Sequence, residues 1–298
     1  MTQEPTGAIL VDKPAGISSA QVVARVRRAL QLDRAGHAGT LDPFATGLLV
    51  CLTGRATRIA DLVQAGHKVY SGQFKLGVVT DTDDSTGKVL TQTSALPIFE
   101  QSMLAAKNFV GKIQQVPPQI SAVKIDGKRA YARARAGEAF EISKRAVEVF
   151  EFTLRPTSEP DLIAYFIKCS KGTYIRALAR DLGQVLGCGA CVHSLRREQS
   201  GKLEVANACP LDQVAVSMLK PWDSLLPEIP RLAFSLSQAK KIWMGRLDVL
   251  QEVSRQIGFE LNEGERFIYA LGDAGPAYGL LRVQAGELCI EANIVEPL

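Results

Sequence analysis

Hydrophobic positions change period several times in the first third of the chain, and each change marks an element. GAILVDK (Gly7–Lys13) is a short apolar run halted by Pro14, which predicts a buried strand. SSAQVVARVRRALQL follows, with Val22, Val26 and Leu30 on one helical face and Ser18 and Gln21 at capping-box spacing. GLLVCLT (Gly47–Thr53) is a continuous apolar run of strand type, and Ala56–Ala65 reads as a short helix closed by Gly66. KVYSGQFKLG then alternates: Tyr70, Phe74 and Leu76 share one face with Gly72, and Val69, Ser71, Gln73 and Lys75 share the other.

An acidic turn, TDTDDSTG (Thr80–Gly87), leads to a helix over Ile98–Val110 with Phe99, Met103, Ala106 and Val110 inward. Strands are expected near Val147–Leu154 and Leu162–Cys169. KGTYIRALARDLGQVLG (Lys171–Gly187) reads as a helix with Ile175, Leu178, Leu182 and Val185 inward. Three prolines make Pro221–Pro230 a linker, and the remainder to Leu298 reads as one short helix and several strands. Strands and helices mingle without regular alternation, and neither GxGxxG nor GxxxxGK[ST] occurs. The fold class is therefore α+β, and a nucleotide-driven enzyme is disfavoured.

Composition adds little beyond a globular profile: 298 residues, 46% hydrophobic and 22% charged. No run of about 18 apolar residues suggests a membrane span. The N-terminus lacks a secretory pattern and the six cysteines are scattered, so a reduced, cytoplasmic protein is expected. Charge distribution is more telling. From Arg231 onward seven Lys/Arg face nine Asp/Glu, so the overall +4 comes from the first 230 residues. Ser121–Gly137 holds Lys124, Lys128, Arg129, Arg133 and Arg135 against Asp126 alone. Such a patch suits a polyanion, although a solvated helix face has the same composition.

Candidate chemistry is sparse. Cys188 and Cys191 form a lone CxxC without a second pair or a histidine cluster, which points to buried cysteines and no metal site. The acidic turn lacks the glycine and glutamate of a calcium loop. What stands out is RAGHAGTLDPFATGLLVCLTGRAT, where Asp42 is the one fully ionised side chain between Ala35 and Gly54. A carboxylate in a Gly-rich loop serves as a turn residue or helix cap, or as a nucleophile or base held away from solvent. The second role needs a nearby cation, which composition does not name.

GHAGTLDPFATGLL (Gly36–Leu49) strongly resembles the catalytic motif of the TruB-type tRNA pseudouridine synthases. LVDKPAGISS (Leu10–Ser19), KVYSGQFKLGVVTDTDDSTG (Lys68–Gly87), PPQISAVKIDGKRAYARARAG (Pro117–Gly137), KGTYIRALARDLG (Lys171–Gly183) and LRR (Leu195–Arg197) match in order, so the resemblance spans roughly residues 7–210.

The resemblance implies a mixed, largely antiparallel central sheet with flanking helices over 1–230. It also implies a thumb-like insertion at about 117–146 and a small β-rich PUA-like domain over 231–298. The implied activity is isomerisation of the T-arm uridine of tRNA conventionally numbered 55, without cofactor or metal. Nothing in the sequence points to an oligomer, so a monomer without an obligate protein partner is the default expectation. Asp42 is then the catalytic carboxylate, Arg176 its ion-pair partner and Tyr70 the aromatic stacked on the uracil. His37, Lys124, Lys128, Arg129, Arg133, Tyr174 and Leu195 fall at RNA-binding positions. Lys13 and Pro14 match a supporting element. The alternatives are an RNA-binding, tRNA-folding protein using the same cleft, and a nucleoside-bond hydrolase, for which two paired carboxylates are expected.

Overall fold

Pro14 follows the first strand, β1 (Gly7–Lys13), and Ser18 caps helix α1 (Ser19–Ala29), whose Val22 and Val26 are fully buried. The capping box is closed: Ser18 Oγ accepts from the Gln21 amide at 3.2 Å, and Gln21 Oε1 accepts from the Ser18 amide at 2.8 Å. The computed structural model describes residues 4–120, 124–125, 128–129, 142–258 and 260–298.

After β2 (Ala35–His37) and β3 (Thr46–Thr53), the expected helix over Ala56–Ala65 forms in two pieces. These are a 3-10 turn, Gly54–Ile59, and the single turn α2 (Ala60–Val63). Ala56 and Ile59 are both buried, and residues three apart eclipse one another in a 3-10 helix. Strand β4 (Lys68–Leu76) buries Tyr70, Phe74 and Leu76 as its alternation predicts. A hairpin of β5 (Val78–Thr80) and β6 (Val89–Gln92) encloses the acidic turn.

Helix α3 (Phe99–Lys107) is shorter than expected and turned about its axis. Ser102, Ala105 and Ala106 are buried, whereas Met103 and Val110 are exposed. Small side chains let the helix approach the sheet closely, and Phe109 at its end meets the edge of Phe152 at 6.3 Å. Strand β7 (Gly111–Gln115) precedes the basic segment. There β8 (Lys124–Ile125) pairs with β9 (Lys128–Arg129). Arg133 and the side chains of Lys124, Lys128 and Arg129 lie outside the described residues.

Strands β10 (Arg145–Pro156) and β11 (Leu162–Cys169) lead to helix α4 (Ile175–Val185). This helix starts at Ile175 rather than Lys171 and buries Ile175, Leu178 and Leu182, but Val185 in its last turn is 60% exposed. Strands β12 (Ala190–Ser200), β13 (Leu203–Glu204) and β14 (Cys209–Pro210) complete a ten-stranded sheet. Its order is β14-β1-β3-β12-β4-β11-β10-β7, with β2 on β3 and β13 on β12. Only β14–β1 and β12–β3 pair in parallel, so the sheet is mixed and largely antiparallel. Gly47 allows the β12–β3 crossing: at φ +98° it lies so close to Arg197 that a Cβ would strike the Arg197 backbone.

Beyond it, β15 (Arg231–Phe234), β16 (Arg266–Leu271), β17 (Ala277–Gln284) and β18 (Glu287–Asn293) form a second, four-stranded sheet. It carries two helices, α5 (Leu236–Trp243) and α6 (Leu247–Gln256), where one was expected. Pro221–Pro230 is not a loose linker. Trp222, Leu225 and Leu226 are buried between Leu48, Val50 and Leu52 of β3 and Ile268 and Leu280 of the second sheet. Trp222 Nε1 also donates to the Ala277 carbonyl at 3.2 Å. One apolar cluster thus joins the back of the large sheet to the small one. Its other face is covered by α1, α3 and α4. Among the described residues no helix is long and apolar enough to cross a membrane.

Candidate active site

Asp42 stands on the loop between β2 and β3, and buried side chains fix that loop by its carbonyls. Arg197, on β12 and 1% exposed, donates from Nε to the Leu48 carbonyl at 2.7 Å, and from its two terminal nitrogens to Gly39 at 3.0 Å and Thr40 at 3.3 Å. Ser19 Oγ donates to the Leu41 carbonyl at 3.0 Å and accepts from the Leu41 amide at 2.9 Å. Lys13 Nζ donates to the carbonyls of Pro14, Ile17 and Pro43 at 2.9, 2.7 and 3.1 Å. A backbone held in this way presents its side chain without further reorganisation.

The cation that Asp42 requires is Arg176. Its Nε lies 2.9 Å from Oδ2, and its Nη2 donates to Oδ1 at 3.1 Å. The terminal nitrogens of Arg176 have further acceptors: Nη1 donates to the Thr82 carbonyl at 2.9 Å and Nη2 to that of Ile120 at 2.9 Å, with Asp84 Oδ2 3.6 Å from Nη1. A two-point guanidinium contact fixes the carboxylate's orientation as well as its charge.

About a third of the Asp42 side chain remains open to the cleft. The surrounding protein still raises its pKa above the ordinary carboxylate value, burial being the largest cause. Arg176 and Lys13 oppose the shift and Asp84 reinforces it. Burial also brings Lys13 down to about 8, with Asp42 opposing.

Two clefts meet at this pair. The first, about 370 Å³, is lined by Asp42, Tyr70, Tyr174, Arg176 and Leu195 together with Arg197. The second, about 960 Å³, shares Asp42, Arg176 and Leu195 and runs past Phe44, Thr86 and Arg196. Both volumes fall in the ~300–1,000 Å³ range of small-ligand sites. Tyr70, on β4, is 9% exposed; burial raises its phenol pKa while Arg197 pulls the other way, so the hydroxyl is neutral at neutral pH. Leu195, on β12, stands opposite Gly72 of β4. His37 is apart from this group: it lies on β2 opposite Cys51 and lines neither cleft.

Several supporting residues had no distinguishing signal in the sequence. Asp84, read as part of an acidic turn, is 3% exposed; its Oδ1 accepts from Thr82 Oγ1, Thr86 Oγ1 and the Thr86 amide at 2.9, 2.6 and 3.0 Å. Asp83 pairs with Arg180 at 3.2 Å. Arg197 lay within a matched motif, yet its full burial is a tertiary property. Among the described residues no cluster of His, Cys, Asp and Glu could hold a metal ion. Cys188 and Cys191 are free and buried, in agreement with a packing role.

The TruB family pseudouridylate synthase N-terminal domain matches residues 27–175, and the tRNA pseudouridylate synthase B C-terminal domain matches residues 176–227. The chain belongs to the TruB family. Among its TruB-family relatives, the tRNA pseudouridine synthase B of Dinoroseobacter shibae is 41% identical over 261 residues, spanning 85% of this chain and 86% of that protein. That of Thermobifida fusca is 43% identical over 249 residues, spanning 80% and 85%. The fold also matches the solved Cbf5-Nop10-Gar1 complex, with a TM-score of 0.67 at 21% identity over 98% of this chain and 84% of the matched one. The first family match contains Asp42 and Tyr70 and ends at Ile175; the second opens on Arg176. The ion pair therefore bridges the two TruB-family segments.

Proposed function

We propose that the protein isomerises uridine to pseudouridine in the T-arm of tRNA, acting as a cytoplasmic monomer without cofactor or obligate protein partner. The observation that carries this reading is the Asp42–Arg176 pair, set in a cleft whose walls are Tyr70 and Leu195. A folded T-loop hides the ribose–base linkage, so the nucleotide has to be flipped to reach Asp42.

In the isomerisation the C1′–N1 bond breaks, the uracil turns over, and C5 bonds to C1′. The C5 proton leaves and N1 takes up a proton, so atoms and charge balance. Asp42 acts on the ribose in its ionised form. Both ways a carboxylate can act there, adding to C1′ or removing the C2′ proton, require that form, and Arg176 keeps it accessible despite burial. Tyr70 and Leu195 hold the detached uracil, and the Tyr70 hydroxyl takes up the C5 proton as it passes its own proton to solvent, so the phenol stays neutral. Tyr174 contributes to the cleft wall. His37 meets the RNA outside the cleft. The cationic segment carrying Lys124, Lys128, Arg129 and Arg133 grips the T-stem phosphates.

The test is tritium release from T-arm tRNA labelled at uridine C5, with wild type and Asp42→Asn compared. Release by wild type alone, without free uracil, is expected. Tight RNA binding without release by wild type would replace the isomerase with the tRNA-folding reading, and free uracil would indicate a hydrolase.

A further inference from the structure

Five cationic side chains, Lys68, Arg145, Lys171, Arg176 and Arg197, line the Asp42 cleft against the single carboxylate. Three of them are spent inside the protein. Arg176 holds Asp42, Arg197 holds the carbonyls of Gly39, Thr40 and Leu48, and Lys68 Nζ donates to the carbonyls of Gln64 and Gly66 at 3.0 and 2.8 Å. Arg145 and Lys171 are different. Both are exposed, and neither side chain has an ion-pair or hydrogen-bond partner among the described residues.

Their placement is rigid. Arg145 opens β10 opposite Gln115 of β7. Lys171 begins the turn between β11 and α4, and that turn is tied back to β10. The Ser170 amide donates to the Glu148 carbonyl at 2.7 Å, the Glu148 amide donates to Ser170 Oγ at 2.9 Å, and Thr173 Oγ1 closes the turn onto the Ser170 carbonyl at 3.0 Å. The two cations therefore share one rim of the cleft on anchored backbone.

We infer that Arg145 and Lys171 form an anion site at the cleft mouth that takes a backbone phosphate flanking the flipped nucleotide. This rests on the uridine reading above. With the ribose at Asp42 and the base against Tyr70 and Leu195, the phosphodiester linkages on either side are left at the mouth. Two like charges on the rim of a cleft already rich in cations repel one another when it is empty, and a phosphate relieves that repulsion. A planar guanidinium and a point-charge ammonium also suit a tetrahedral anion approached from two sides. Because the phosphate reaches the rim only when its nucleotide is flipped, this binding energy favours the reactive geometry over mere docking.

The experiment is a cycle between protein and RNA. A T-arm hairpin carries an uncharged methylphosphonate at a linkage flanking the target uridine, or at a stem linkage as control. Affinity is measured for wild type and for the Arg145→Gln, Lys171→Gln and doubly substituted proteins over a salt series. Each single substitution is expected to lower the salt slope by about 1. The flanking replacement should weaken wild type several-fold and the double variant less than twofold, while the stem replacement weakens both alike. Lys171→Arg should retain wild-type coupling, which separates loss of charge from misfolding. If the flanking replacement weakens the double variant as much as wild type, the anion site is overturned. Tritium release by wild type with such an additive cycle would leave the isomerase reading standing alone. Coupling without tritium release would keep the anion site and remove the isomerase.

Discussion

The side-chain amide of Gln115 binds both backbone polar groups of Tyr174: Nε2 donates to the carbonyl at 3.0 Å and Oε1 accepts from the amide at 2.8 Å. Gln115 is 1% exposed and ends β7, so its side chain continues the strand's hydrogen bonding onto the residue that precedes α4. That helix carries Arg176 as its second residue. Arg180, one turn further, donates to the Val116 carbonyl at 2.8 Å and fixes the same junction. Gln115 therefore positions Arg176 without touching the cleft.

Replacing Gln115 with Leu keeps the volume and removes one acceptor from the Tyr174 amide and one donor from its carbonyl, which still accepts from the Leu178 amide at 3.1 Å. A loss of about 1–3 kcal/mol is expected in urea unfolding. The single-turnover rate should fall while RNA affinity stays within a few-fold of wild type. A variant as active as wild type would show that other contacts suffice to place Arg176.

Asp42 is active as the anion, and burial raises its pKa, so activity falls as pH drops through a value above the usual carboxylate range. Arg176 is the largest influence opposing that shift. In Arg176→Gln the Asp42 pKa rises further and the acid limb of the single-turnover rate moves to higher pH. At neutral pH the rate should drop by about 10²–10³-fold, as for loss of a preorganised donor. An acid limb that stays in place would mean that another group controls it.

Arg197 serves three carbonyls of the Asp42 loop and its outgoing strand. A lysine at this position presents one point charge and leaves part of that set unpaired. Arg197→Lys should cost about 1–3 kcal/mol in denaturant unfolding for each carbonyl left unpaired and slow catalysis together with it. Wild-type stability would contradict a role in holding the loop.

Trp222 is 2% exposed in the cluster joining the two sheets. Trp222→Ala should cost about 3–5 kcal/mol and expose residues 221–230 to limited proteolysis. By contrast, Met103→Ala and Val185→Ala, at exposed sites, should change stability by less than about 0.5 kcal/mol. Equal costs would place the core boundary elsewhere.

Local chemistry alone determined several elements. Pro14 and the Ser18–Gln21 capping box bound β1 and α1, the apolar run around Val50 is a central strand, and the alternation through Tyr70, Phe74 and Leu76 selects the buried face of β4. These signals are legible because turn chemistry and period act over a few residues. The lone Asp42 was visible for the same reason: a charge in an apolar stretch needs no fold to be noticed. Family resemblance, rather than periodicity, supplied Arg176 as its partner.

Tertiary structure decided the rest. In α3 the inward face is set by how closely Ser102 and Ala106 can approach the sheet, so the larger Met103 lies outside. In α4 the apolar stripe extends to Val185, but the core takes in Leu182 of the last turn and leaves Val185 60% exposed. Three prolines gave Pro221–Pro230 the composition of a linker, although Trp222 fills the space between two sheets. The burial of Asp84 and Arg197 likewise depends on strands and turns brought together from distant parts of the chain. A sequence pattern states which side chains tolerate burial; which of them are buried, and which charges then meet across 134 residues as Asp42 and Arg176 do, follows from the packing of non-local elements.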